Sequence, residues 1–213
     1  MDAQTCIKKL QRVGVLSFAT VGLDGTPQVR CISAIHYEAD ALYFFTARGK
    51  DFCKELLHGG GRVQILAYTR FKEMIRVSAR AVPVAEAEQK YYMELIFREQ
   101  PYLSNVYPGS TREIGIIFAV RDMRIEYFHL GVNPIFQEQY TVGNSRFNPK
   151  GYEITGDCIG CGICAEACPQ KCIQAGAVYR IAQEHCLHCG NCYEQCPVHA
   201  VAERPGVCTP VPL

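Results

Sequence analysis

The sequence predicts an α+β chain in two parts: an N-terminal antiparallel barrel of six strands with inserted helices, and a small C-terminal module built on cysteines. Three observations predict it. β-rich segments follow one another through short turns from residue 13 to residue 82, helical patterns interrupt them rather than alternating with them, and ten of thirteen cysteines lie after residue 157.

The chain opens on a helical pattern that puts Cys6, Leu10 and Val13 on one face. VGVLSFATV (13–21) reads as a strand, LDG as a turn, TPQVRCISAIHYE (26–38) as a second strand and ALYFFTA (41–47) as a third. Phe52 and Leu56 mark a short helix. RVQILAYTR (62–70) and EMIRVSARAV (73–82) are further strands. In the latter, Ile75, Val77, Ala79 and Ala81 alternate with Arg76, Ser78 and Arg80, as one buried and one wet face require. Tyr92, Leu95 and Ile96 mark a helix near 86–99, and EIGIIFAVRDMRIEYFHL (113–130) completes the six strands. No Gly-x-Gly-x-x-Gly follows a strand, and HGGG (58–61) precedes one, which argues against a nicotinamide-binding doubly wound unit. GVNPIFQEQYTVGNSRFNPKG (131–151), rich in Gly, Pro, Asn and Ser, reads as a structureless connector. The expected division is therefore a barrel over 1–130, a connector over 131–151 and the cysteine module over 152–213.

Composition narrows the function classes. The chain is 48% hydrophobic and 20% charged, without an apolar run of bilayer length. MDAQTCIKKLQRV lacks the apolar stretch of a secretory signal, so a cytoplasmic address is expected. In that compartment thirteen cysteines serve metal or redox chemistry rather than disulfides. Residues 1–151 carry 19 basic and 15 acidic side chains (+4), and residues 152–213 carry three basic and six acidic (−3). That asymmetry is too mild for a nucleic-acid partner.

The C-terminal region repeats with an offset of 28: Cys158, Cys161, Cys164 and Cys168-Pro169 recur as Cys186, Cys189, Cys192 and Cys196-Pro197. The duplicated C-x2-C-x2-C-x3-C-P unit resembles the bacterial two-cluster ferredoxins over roughly 152–204. Two-residue gaps let one loop wrap three thiolates around a cubane, and the glycines at 160, 162 and 190 permit close backbone approach to the sulfurs. The resemblance implies two [4Fe-4S] clusters with crossed ligation. Cys158, Cys161, Cys164 and Cys196 hold the first; Cys186, Cys189, Cys192 and Cys168 hold the second. Zinc ribbons also use C-x2-C pairs, but leave the register, the prolines and the 28-residue echo unexplained. Cys172 stands where the repeat has Ala200, and reads either as a small buried apolar residue or as a reactive thiol beside a cluster; the first reading also covers Cys6, Cys31, Cys53 and Cys208. The second loop alone carries His188 and Asn191. Either they hydrate the second cluster and separate the two potentials, or His188 is a plain solvent-facing side chain.

The barrel should hold a redox partner for those clusters. Arg30 lies on a strand in TPQVRCIS, and FFTARGKDFCKEL places Thr46, Arg48 and Lys50 where a strand gives way to a helix. A helix N-terminus with nearby cations makes a phosphate site, although a capped helix with solvated cations has the same residues. The order of leading helix, GLDGTPQVR hairpin and LYFFTARGKDFCKEL resembles the pyridoxamine 5'-phosphate oxidase-like family of FMN-binding split barrels, over about 8–130. The resemblance implies a six-stranded split β-barrel, FMN, and a homodimer with flavin at the subunit interface. It assigns FMN contacts to Val29, Arg30, Cys31, Thr46, Ala47 and Lys50, with Arg48 a looser match and Gln64 a candidate for the flavin ring. It does not extend to pyridoxamine oxidase activity, because the chain has no Trp and carries the cysteine module where that enzyme's substrate-holding C-terminal residues lie. His36, Tyr43 and Tyr68 read as ordinary barrel residues, and no catalytic residue stands out.

Together the two resemblances imply an iron-sulfur flavoprotein oxidoreductase. It would take electrons from a ferredoxin-type partner and reduce a small organic acceptor. The alternative is an electron-transfer protein or subunit linking larger redox partners, without a small substrate of its own. Oxygen-sensitive clusters imply an anaerobe or a low-oxygen cytoplasm.

Overall fold

The computed structural model describes residues 1–147 and 149–204; Cys208 lies outside the described residues. Helix α1 (Ala3–Val13) starts where the Asp2 carboxylate accepts the Thr5 amide at 2.7 Å. It stops where Gly14, at φ 75°, gives its amide to the Leu10 carbonyl. Its apolar face buries Cys6, Ile7 and Leu10.

The strands that follow are β1 (Leu16–Val21), β2 (Pro27–Ile32), β3 (Ile35–Tyr37), β4 (Leu42–Ala47), β5 (Arg62–Tyr68), β6 (Glu73–Pro83), β7 (Gly115–His129) and β8 (Phe136–Val142). They form a curled sheet in the order β2-β1-β5-β6-β7-β4-β3, with β8 on β7. Helix α2 (Asp51–His58) joins β4 to β5, while α3 (Glu86–Glu99) and α4 (Leu103–Val106) lie between β6 and β7.

The sheet has eight strands where six were expected, for two physical reasons. The segment expected to be one strand over 26–38 bends at Ser33 and Ala34 and changes partner. Ile32 sits opposite Leu16 of β1, whereas Ile35 sits opposite Phe44 of β4. A strand that switches neighbours makes the corner of a curled sheet. The second addition is β8, inside the segment expected to be structureless. Its Gly- and Pro-rich flanks hid a run, FQEQYTV, whose Phe, Tyr, Thr and Val suit a strand.

Strand β4, between β7 and β3, is buried on both faces, which is why LYFFTA reads as a continuous apolar run. On one face Phe44 meets Phe18 edge-on at 5.1 Å and stacks on Phe118 at 5.6 Å. On the other, Tyr43 stacks on Tyr92 of α3 at 3.8 Å, and Phe45 meets Phe97 edge-on at 5.3 Å. Each such side chain contributes about 1.5–3 kcal/mol by burial. At the start of β5 the backbone of Gly61 approaches Ala81 of β6. Gly61 has φ 73°, and a Cβ there would lie 2.2 Å from the Ala81 carbonyl oxygen. Gly61→Ala is therefore expected to cost about 1–3 kcal/mol, read as a lower melting temperature with unchanged iron content.

The chain divides into two compact units. The first comprises residues 1–69, 75–126 and 139–146; the second comprises 70–74, 127–138 and 147 onward. The second unit contains β9 (Tyr152–Ile154), α5 (Ile163–Ala167), β10 (Ile173–Gln174), β11 (Arg180–Ile181), α6 (Asn191–Glu194) and β12 (Val201–Glu203). Strand β9 pairs with β12 and β10 with β11, both antiparallel. The 28-residue echo is visible in the backbone: α5 starts after Gly162 at φ 81°, and α6 after Gly190 at φ 82°. Among the described residues no helix is long and apolar enough to cross a membrane.

Candidate cofactor sites

The second unit encloses two cavities. Cys158, Cys161, Cys164 and Cys196 line one, and Cys168, Cys186, Cys189 and Cys192, with Cys172, line the other. Each motif therefore sends its fourth cysteine to the other motif's cavity. Strand pairing produces the crossing: β12 brings the segment after Cys196 against β9, and Ile154, Tyr179 and Val201 wall the first cavity. Tyr152, Ile173 and Ile181 wall the second.

The sequence register of these cysteines suits a cluster rather than a single ion. A tetrahedral zinc with bonds of ~2.3 Å draws its sulfurs to within ~4 Å of one another. Among the described residues no group of three or more His, Cys, Asp or Glu is placed to hold a single metal ion. Four thiols around a cavity are what a cubane needs. Backbone amides also turn toward the sulfurs: His188 N–H lies 3.3 Å from Cys186 Sγ, and Ala200 N–H 3.2 Å from Cys196 Sγ. Burial, with Cys186 nearby, pushes the Cys192 thiol up to about 11, and burial also raises Cys164 and Cys186. These thiols surrender their protons to a metal rather than to water.

His188 is not a plain solvent-facing side chain. Its Nε2 lies 3.1 Å from Gln137 Nε2, and Gln137 also donates to the Gln183 carbonyl at 2.6 Å. Gly151 backs the ring so closely that a Cβ there would stand 2.5 Å from His188 Cδ2. Asn191 Nδ2 donates to the Ala167 carbonyl at 2.6 Å. Both polar side chains are spent on protein partners, contrary to the expectation that they carry water to the second cluster. Sequence reasoning missed Gln137, which lay in the segment read as a connector. Cys6, Cys53 and Cys172 are buried as expected, but Cys31 is exposed. Cys31 belongs to the outward-facing set of an alternating strand, the PQVRCI of β2.

The residues expected around FMN fall into separate groups in the first unit. Val29 and Cys31 share the exposed face of β2. Ala19 of β1 stands opposite both Val29 and Gln64, which aligns Gln64 with them; its Oε1 accepts the Ser78 hydroxyl at 2.9 Å. Arg30 points the other way. Its guanidinium donates to the buried Glu55 carboxylate of α2 at 2.7 Å, lies over the Phe52 ring at 4.7 Å and also reaches the Thr20 hydroxyl. Thr20 donates to the same carboxylate. Arg30 thus pins α2 against β1 and β2.

Thr46 and Ala47 are buried at the end of β4, and Arg48 and Lys50 are exposed at the corner that follows. Arg48 is tied to that corner through the Gly115 carbonyl at 2.8 Å. Lys50 occupies the position before α2, whose N-terminus has no side-chain cap. Free amide groups, the positive helix end and two exposed cations fit a phosphate, although Asp51 in the first turn opposes it. His36 and Tyr43 belong to a polar cluster on β3 and β4: His36 Nδ1 lies 2.8 Å from Glu99, and Tyr43 and Tyr92 both reach Glu38. These contacts lock α3 onto the sheet.

Comparison with known proteins agrees with both parts. The pyridoxamine 5'-phosphate oxidase family matches residues 4–119, and the 4Fe-4S dicluster domain matches residues 157–200. A ferredoxin of Butyribacterium methylotrophicum is 50% identical over 30 residues, which are 14% of this chain and 54% of that protein. The chain thus spans about half the length of that relative. Among solved structures, a NimC/NimA family protein of Clostridium acetobutylicum superposes with a TM-score of 0.53 at 19% identity, covering 65% of this chain and 91% of that one. PhzG of Burkholderia lata 383, solved with tetrahydrophenazine-1-carboxylic acid, gives 0.52 at 16% identity, covering 68% and 88%. These structures share the fold of the first unit.

Proposed function

Since the chain belongs to the pyridoxamine 5'-phosphate oxidase family and also carries a 4Fe-4S dicluster domain, we propose that it is an oxidoreductase that passes electrons between its clusters and FMN to reduce a small organic acceptor. Its cofactors are two [4Fe-4S] clusters and FMN, and redox electron transfer is the chemistry its two domains share. Clusters carry single electrons, and FMN exchanges them for the two-electron chemistry of an organic acceptor. The chain's own part is to hold and shield. Cys158, Cys161, Cys164 and Cys196 hold one cluster; Cys168, Cys186, Cys189 and Cys192 hold the other. Lys50, Arg48 and the α2 amides hold the flavin phosphate, with Thr46 and Ala47 shaping the strand end beneath. Arg30 acts through Glu55 by keeping α2 in place. Val29, Cys31 and Gln64 face the ring.

The observation that carries this reading is the presence of two cavities that exchange the fourth cysteine of each motif and an uncapped, cation-flanked helix end in one chain. Electrons arrive from a redox partner protein: Ile159, Ile163 and Val198, beside the first cluster's cysteines, are exposed apolar side chains of the kind a protein partner covers. A second copy of the chain covers the outer face of the sheet, where Val29 is 72% exposed and Leu66 and Tyr68 are also exposed. The test is anaerobic purification, reduction and a screen of small acceptors. About eight irons and one FMN per chain, with reoxidation by a small acceptor, support the reading. Reoxidation by partner proteins alone would make the chain an electron carrier instead. Lys50→Ala is expected to lower FMN occupancy at least tenfold, about 1.4 kcal/mol, while iron content stays the same. Unchanged flavin fluorescence on denaturation would put the phosphate elsewhere.

A further inference from the structure

The second unit is a repeat, so any group present at one cluster and missing from its twin identifies a difference between the two. Part of the surroundings is duplicated, although Cys168 also receives the Gln170 and Lys171 amides. Each cavity has one tyrosine, Tyr179 or Tyr152, and β-branched walls. The amide of Ala200 turns toward Cys196 Sγ, and the amide of Cys172, at the matching position, turns toward Cys168 Sγ. The side chain at that position is not duplicated. Ala200 offers a methyl group, whereas Cys172, only 6% exposed, lines the second cavity and places its Sγ 3.5 Å from Cys168 Sγ.

From this asymmetry we propose that Cys172 is a positioning donor whose thiol hydrogen-bonds the Cys168 sulfur and makes the second cluster the higher-potential one, so that it takes the first electron. The inference rests on the assignment of Cys168 to that cluster. A ligating Cys168 has no proton, so the only hydrogen between the two sulfurs is that of Cys172. Reduction adds negative charge to the cluster and its sulfurs, and a donor aimed at a sulfur stabilises the added charge. Ala200 cannot do this at Cys196. Cys172 also takes no part in ligation: the C-x2-C-x2-C-x3-C-P register already assigns four ligands to that cluster, Cys168, Cys186, Cys189 and Cys192. The electron itself comes from the redox partner and passes on toward FMN.

The experiment is an anaerobic redox titration of the full chain followed by EPR, with iron counted in the same samples. Wild-type protein is expected to show two cluster steps separated by at least tenfold in electron affinity, ~59 mV for a one-electron couple. Cys172→Ala lowers the upper step toward the lower with iron content unchanged. Cys172→Ser, which keeps a donor, holds the upper step above its position in Cys172→Ala. Ala200→Cys raises the lower step. A single cluster step in wild type, or unmoved midpoints in Cys172→Ala at full iron content, overturns the proposal while leaving the ligand assignment intact. Loss of half the iron in Cys172→Ala overturns both, because Cys172 would then be a ligand.

Discussion

Cys196→Ala is expected to abolish the same cluster that Cys158→Ala abolishes, although the two residues belong to different motifs. About four of about eight irons disappear in each case, and the EPR signal that survives is the same in both. The reason is the crossed geometry: Cys196 lines the cavity of Cys158, Cys161 and Cys164, while Cys168 lines that of Cys186, Cys189 and Cys192. A cluster lacking one thiolate exposes an iron in a pocket walled by Ile154 and Val201, where no other described thiol lines the cavity to replace it. Ligation within each motif predicts the opposite pairing, with Cys196→Ala matching Cys186→Ala. Iron counts combined with EPR of the three variants distinguish the two patterns.

Arg30→Ala is expected to weaken the first unit by about 3 kcal/mol, because it strands the Glu55 carboxylate in the protein interior. The side chains are 22% and 5% exposed, so the pair stands at the lower end of the cost of breaking a buried ion pair. The loss corresponds to roughly 6–12 °C in melting temperature for a chain of this size. Flavin is lost as well, since α2 loses its tie to Arg30 and is held to the sheet at Glu55 by the Thr20 hydroxyl alone. Replacing both charges, as in Arg30→Met with Glu55→Leu, removes the stranded carboxylate and restores stability to near that of the parent. The double variant also separates two roles. Restored FMN binding shows that Arg30 acts by holding α2, whereas a stable fold that still lacks FMN would make Arg30 a direct ligand of the phosphate. Lys50→Ala behaves differently, with flavin lost and stability kept, because Lys50 is exposed and caps nothing.

The two halves of the chain were unequally legible in the sequence. The grouping of cysteines around the two cavities could be read because iron-sulfur chemistry fixes local spacing, and a duplicated C-x2-C-x2-C-x3-C-P has few other uses. The barrel could be read as strands but not counted. The bend at Ser33 and Ala34 leaves no break in hydrophobic pattern, and β8 carries mixed polar residues between turn-forming flanks. The FMN residues were named by family likeness without applying strand alternation to them. Alternation alone places Val29 and Cys31 on one face and Arg30 on the other. The partner of Arg30, Glu55, is 25 residues away on a helix, a distance over which sequence pattern carries no information about pairing. Cys172 is the converse case. Its mismatch with Ala200 was visible in the repeat, but only the 3.5 Å approach to Cys168 gives that mismatch a chemical meaning.

The claim that clusters and flavin form one electron path within the chain is tested most directly by rapid mixing. Anaerobic protein is mixed with less than one equivalent of a reduced ferredoxin, and cluster and flavin absorbance are followed at several protein concentrations. The account predicts that the clusters are reduced first. Flavin absorbance then bleaches in a first-order phase whose rate does not change with protein concentration. A flavin phase that scales with protein concentration, or a flavin that stays oxidised while the clusters remain reduced, would contradict it.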